Sequence, residues 1–220
     1  MEFESVIRGR RSIRAYTSEA VPEELIREIL DEARWAPSWR NTQARSVWVL
    51  TGGALQRYKD EFSAAVERDD PAALDLPATA DWPRACSART AALMKSRAAT
   101  LDAAGEPTDP AAALARMADL FGAPCVLVFG FEDCLAEAYA SFDAGSFVQN
   151  VCLAAHDRGL GTCIAATVIR YPDILRRLLP GAEDKRFVVA VTLGHPQADA
   201  AANTVERSRA DLDELVTWVS

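Results

Sequence analysis

Gly159-Leu160-Gly161-Thr162 is the stretch whose reading decides the fold class. It follows Leu135–Arg158, which reads as one long helix, apolar nearly all round from Phe142 to Ala155. A dinucleotide-type phosphate turn must follow a strand and open a helix, and it needs a third small residue where this chain has Ile164. Both conditions fail. Gly159 reads instead as a helix stop, and Cys163–Thr167 as a strand-like run beyond it. A helix so apolar belongs in a core or against a second subunit.

Working outward, Pro22–Trp35 has helical spacing, with Leu25, Ile26, Ile29, Leu30 and Ala33 on one face and charged residues on the other; Pro37 ends it. Ser46–Thr51, Pro124–Phe131 and Arg186–Gly194 read as strands. Ala54–Glu67, Arg84–Ala104, Ala111–Phe121 and Tyr171–Leu179 read as helices, and Asp69–Pro83, with three prolines, as a loop. The strands are few and do not alternate strictly with helices. The pattern predicts an α+β domain of three layers rather than a doubly wound one.

The chain has 220 residues, half of them hydrophobic, enough for one domain with a substantial core. Its formal charge of −8 argues against nucleic acid or an anionic membrane as the main partner, though not against an anion held by local arginines. No run is apolar for the ~20 residues that a membrane helix needs, and Glu2 and Glu4 do not suit a signal peptide. Cys86, Cys125, Cys134, Cys152 and Cys163 are scattered, odd in number and form no CxxC pair, as reduced cytoplasmic thiols do. With only His156 and His195, no metal site is expected, and both histidines read as structural.

Three polar clusters stand out. Arg10-Arg11-Ser12-Ile13-Arg14 is a solvated basic turn or an anion site. Ala36-Pro37-Ser38-Trp39-Arg40-Asn41-Thr42-Gln43 is a compact polar loop after a helix. Arg207 and Arg209, one residue apart, share a side of an extended segment; they are a phosphate clamp or part of a solubilising tail. Asp143, Gln149 and Asn150 interrupt the apolar helix and read as structural groups at a subunit interface.

In this order, with Gly159–Thr162, these clusters resemble the FMN-dependent nitroreductase family. The resemblance runs from about Glu4 to Trp218 and is weakest over Asp69–Leu120. It implies a single domain over 1–220 with a central mixed sheet flanked by helices, in an intertwined homodimer with FMN at the interface. Residues 69–122 are then an excursion covering the substrate, and 197–220 a tail packed on the partner. The resemblance assigns FMN to Arg10, Arg11, Ser12, Arg14, Arg207 and Arg209, with Arg14 at the N1–C2 edge. Pro37, Ser38, Asn41 and Gln43 would reach the flavin of the other subunit, and the backbone of Ala165 and Ala166 its N5 and O4. Ala165-Ala166-Thr167 replace the glycines frequent there, and Ala44-Arg45 replace the usual Pro-Trp after Gln43.

Trp39 and Arg40, beside the inferred ring, are substrate candidates. The implied activity is electron transfer from NAD(P)H through FMN to a nitroaromatic, quinone or similar small acceptor by ping-pong turnover, with no side chain as acid or base. The alternatives are other flavin chemistry on the same scaffold, such as dehydrogenation of a biosynthetic intermediate or reductive dehalogenation, and a non-catalytic flavin-binding protein.

Overall fold

The computed structural model describes residues 1–77 and 79–220. In chain order the elements are α1 (Phe3–Gly9), α2 (Glu23–Ala33), β1 (Ser46–Thr51), α3 (Gly52–Glu67), α4 (Arg84–Ala103), α5 (Pro110–Ala118), β2 (Cys125–Glu132), α6 (Glu137–Asp157), β3 (Gly161–Ala165), α7 (Pro172–Leu178), β4 (Lys185–Gly194) and α8 (Leu212–Leu215). Short 3-10 turns occupy Trp39–Asn41, Leu120–Gly122, Ala166–Ile169 and Ala201–Asn203.

Strands β1–β2–β4–β3 form one sheet, in that order. Successive strand residues face opposite sides, so β2 feeds two cores. Val126 and Val128 pack with Tyr58 and Phe62 of α3 and with Leu175 of α7. Cys125, Leu127 and Phe129 pack with Ile26 and Ile29 of α2 and with Val148 and Val151 of α6. The result is the expected α+β domain of three layers, with β2 buried on both faces.

Several expectations need correction. All three strand ladders are antiparallel; the only parallel pairing among the described residues is the isolated bridge Ser12–Thr162, so the sheet is mixed at that one point. Helix α2 ends at Ala33, before Pro37, because the Trp35 and Ala36 N–H groups already turn back to Glu32 and Ala33. The strand predicted over Cys163–Thr167 is β3, which starts two residues earlier and gives way to a 3-10 turn at Ala166. Helix α6 is not buried all round: Tyr139 and Phe142 are exposed, as is Gln149. Helix α1 has no counterpart in the periodicity, since only Val6 of its residues is buried. Of the loop read over Asp69–Pro83, Ala78 lies outside the described residues, and the rest has no helix or strand.

Two glycines place the functional segments. Gly159 ends α6 with φ +77°, a left-handed conformation that a Cβ disfavours. Gly161 lets the N-terminal segment lie against β3; a Cβ there would come within 2.6 Å of Ile13. The Ile13 N–H donates to the Thr162 carbonyl at 2.9 Å, which fixes Ser12 and Arg14 beside the β3 edge. No helix among the described residues is long and apolar enough to cross a membrane.

Candidate functional site

The N-terminal segment, the C-terminal tail and α4 enclose a cavity of about 530 Å³. Arg10, Arg11, Ser12 and Arg14 line it from the first, Arg207, Ser208 and Arg209 from the second, and Arg89 and Leu93 from the third. The phosphate candidates far apart in sequence therefore converge.

Asn203 joins these segments. It is 7% exposed. Its Oδ1 accepts the N–H groups of Arg14 and Ala15 at 2.7 and 3.2 Å, and its Nδ2 donates to the carbonyls of Ala15 and Gln197 at 2.8 and 3.0 Å. The sequence reading passed over it; the one available signal was a lone amide in an alanine-rich stretch.

The arginines divide by partner. Arg207 donates to the carbonyls of Arg8, Gly9 and Arg10 at the end of α1, and Arg11 donates to that of Val205. These two tie the tail to the N-terminal segment. Arg207 is thus no simple partner of Arg209 in a clamp. Among the described residues Arg209 donates only to its neighbour Ser208, at 2.7 Å. Arg10 and Arg14 have no carboxylate partner among the described residues; Arg14 has one long bond, 3.4 Å, to the Ser12 carbonyl. Burial lowers the Arg207 pKa, and Arg11, Arg10 and Arg209 lower it further. Such crowding of like charge, partly out of water, is relieved when an anion enters.

Ala165 is buried and Ala166 exposed. Strand β3 is an edge of the sheet. The backbone of Thr162 faces outward to Ile13, and period two gives Ile164 the same orientation. Ala166 opens a 3-10 turn, where an N–H has no partner within the helix. Backbone donors thus remain at this edge although the glycines are absent.

The loop 37–43 is built elsewhere. The Trp39 N–H donates to Oδ1 and Oδ2 of Asp143 at 3.1 and 2.9 Å, the Gln43 N–H to Ser38 Oγ at 2.9 Å, and the Asn41 N–H to the Ser38 carbonyl at 3.0 Å. Arg40, Asn41 and Gln43 have φ of 50°, 58° and 50°, conformations held by these bonds. Pro37 is exposed and Ser38 half-buried. Trp39 stacks on Tyr139 with centroids 4.8 Å apart, and the Arg40 guanidinium lies 5.0 Å over Trp39. Arg45, in place of the usual Pro-Trp, donates to the carbonyls of Arg34 and Ala36 at 3.1 and 3.0 Å and braces the loop from behind.

The loop and the cavity do not meet within one chain. The loop docks at Asp143, whereas α1 docks at the far end of α6, where the Met1 ammonium pairs with Asp157 at 2.5 Å. The rise of an α-helix separates those anchor points by about 20 Å. Among the described residues no group of His, Cys, Asp or Glu is arranged to hold a metal ion.

The model of the Nitroreductase family matches residues 7–195. The chain is 34% identical to the chloronitrobenzene nitroreductase of Comamonas testosteroni, over 99% of this chain and 96% of that one. It is 31% identical to the 4-nitrobenzoate reductase of Pseudomonas putida, over 94% and 91%. Its structure is similar to that of the FMN-dependent nitroreductase NfnB from Mycobacterium smegmatis in complex with NADPH, with a TM-score of 0.90 at 28% identity over 99% and 97% of the two chains.

Proposed function

The chain belongs to the nitroreductase family, and from that premise we propose that it is an FMN-dependent enzyme that passes electrons from NADPH to nitroaromatic acceptors. The observation that carries the reading is the cavity where Arg10, Arg14 and Arg209, without carboxylate partners among the described residues, stand beside the free edge of β3. The donor set fits FMN: guanidiniums for a phosphate, a further cation for the flavin edge, and outward backbone donors at Ile164 and Ala166 for the ring, the Ala165 backbone facing β4 instead.

When bound, FMN would supply the two-electron chemistry between NADPH and the acceptor, the two using it in turn as in a ping-pong cycle. The chain's residues bind and orient. Arg10 and Arg209 hold the phosphate, with Arg11 and Ser12 beside them and Arg207 keeping the tail in place. Arg14 places a fixed positive charge where negative charge develops on reduction. Trp39 and Arg40 face the acceptor.

The separation of loop from cavity supports a homodimer, with Pro37, Ser38, Asn41 and Gln43 of one chain completing the site of the other. The unpartnered apolar surface agrees: Phe3, Phe142, Trp218 and Val219 are 73%, 73%, 82% and 92% exposed in the single chain. The tail 197–220 and the excursion 69–122 would then lie over the partner and the substrate. Scattered, unpaired cysteines suit a cytoplasmic setting. The test is anaerobic: the purified protein should be yellow, NADPH should bleach it, and a nitroaromatic should restore the colour. A colourless protein, or a flavin that NADPH leaves oxidised, contradicts the reading.

A further inference from the structure

In a chain with 32 acidic and 24 basic residues, a sheltered arginine without a carboxylate stands out. On α4, Arg89, Leu93, Arg97 and Leu101 recur every fourth residue and share one face. Leu101 is buried in the body, Leu93 lines the cavity, and Arg89 pairs with Glu214 at 2.5 Å. Arg97 is half-buried on the same face, and its guanidinium has no hydrogen bond or ion pair among the described residues. Burial lowers its pKa, and the charges of Arg14 and Arg116 add to that effect. Arg14 and Arg97 both stand near the Cys163 thiol, which burial pushes up and these two cations pull down. Cys163 lies in β3, just before the edge assigned to the flavin ring.

Two partly desolvated guanidiniums with no anion are an unfavourable pair, so this place is built for a negative group. The phosphate already has Arg10 and Arg209 at the tail side, and Arg14 serves the flavin edge. Arg97 comes from the covering segment and has Leu93, an apolar wall, one turn away. A guanidinium fork matches a planar carboxylate in bidentate fashion. Arg40, the other candidate, is exposed with its guanidinium over the Trp39 ring.

We propose that Arg97 determines acceptor specificity by binding the carboxylate of an aromatic nitro compound, placing its ring along Leu93 toward the β3 edge. The proposal rests on the functional reading above. It predicts that 4-nitrobenzoate is a better acceptor than 4-nitrobenzamide, which has the same shape without the charge.

The test is steady-state kinetics with NADPH and both compounds on the FMN-loaded parent, Arg97→Gln, Arg97→Lys and Arg40→Ala, with bound FMN and the anaerobic rate of flavin reduction measured on each. Arg97→Gln should lose roughly tenfold or more in kcat/KM for the benzoate and little for the amide. The loss should fall on KM, because the carboxylate is remote from the reacting nitro group. Arg97→Lys should recover part of it, and Arg40→Ala should keep the parent's ratio of kcat/KM for the benzoate over the amide. Equal losses on both compounds, a loss confined to FMN content or flavin reduction, or a preference removed by Arg40→Ala instead would each overturn the role of Arg97. An FMN-loaded parent that reduces neither compound would contradict the functional reading itself, and the proposal with it.

Discussion

The Asp143 carboxylate accepts the Trp39 N–H through both oxygens, at 2.9 and 3.1 Å. This contact ties the loop 37–43 to the first half of α6 and explains why a carboxylate sits there at 4% exposure. Replacing Asp143 by alanine strands the Trp39 donor and frees a segment with three positive-φ residues. The expected loss is about 1–3 kcal/mol in unfolding free energy, with weaker FMN binding. Chemical denaturation and flavin titration of Asp143→Ala measure both. An unchanged flavin affinity would detach the loop from the site.

Asn203→Ala removes four hydrogen bonds to partly buried backbone at once. Leaving buried donors and acceptors unsatisfied costs about 1–3 kcal/mol each at most, with water recovering part of it. A lower melting temperature together with weaker flavin binding is expected, because Arg14 and the tail are positioned from the same amide. A variant as stable as the parent would show that the N-terminal segment holds the tail without it.

Arg207 and Arg209 should separate. Arg207 donates to three carbonyls at the end of α1, so Arg207→Ala should lower stability. Among the described residues Arg209 donates only to its neighbour, so Arg209→Ala should leave stability nearly intact and weaken FMN binding by ~1.5–3 kcal/mol, roughly ten- to hundredfold. Paired measurements of thermal unfolding and flavin affinity check this. An Arg209→Ala protein with parental affinity removes Arg209 from the phosphate.

His156 lies under the same charges. Burial lowers its pKa below the ordinary 6.5, and Arg10 and Arg207 lower it further. The unfolded chain thus binds more protons between the folded and unfolded values, so this residue's contribution is present above about pH 6.5 and is lost as the pH falls below it. Entry of the FMN phosphate beside Arg10 should move the His156 pKa back up. An NMR titration of the imidazole with and without FMN reads both; a pKa that does not respond to FMN would place the phosphate away from Arg10.

Much of the fold was legible because its main elements follow one period each. Ile26, Ile29 and Ala33 mark the buried face of α2, and β2 reads as an apolar run because both its faces are covered. Helix α1 was illegible: Phe3 and Ile7 point outward, so its periodicity marks no core of its own chain. The apolar length of α6 was plain, but not which side stays open, since Phe142 looks the same whether it faces a core or a partner. In the site, Arg10, Arg14 and Arg209 were legible as charges. What Arg207 does with its donors, what Asn203 joins and where Arg97 stands depend on contacts between segments far apart in sequence.

The central claim is that each flavin site takes its phosphate-binding side from one chain and its loop 37–43 from the other. Its most direct test is a mixed dimer of Arg209→Ala and Asp143→Ala chains, co-expressed with different tags, isolated through both tags and titrated with FMN. Each homodimer has two impaired sites. In the mixed dimer one site carries both lesions and the other carries none, so one site per dimer should regain parental FMN affinity and NADPH-driven nitro reduction. A mixed dimer whose sites all bind as weakly as those of the two homodimers would contradict the claim.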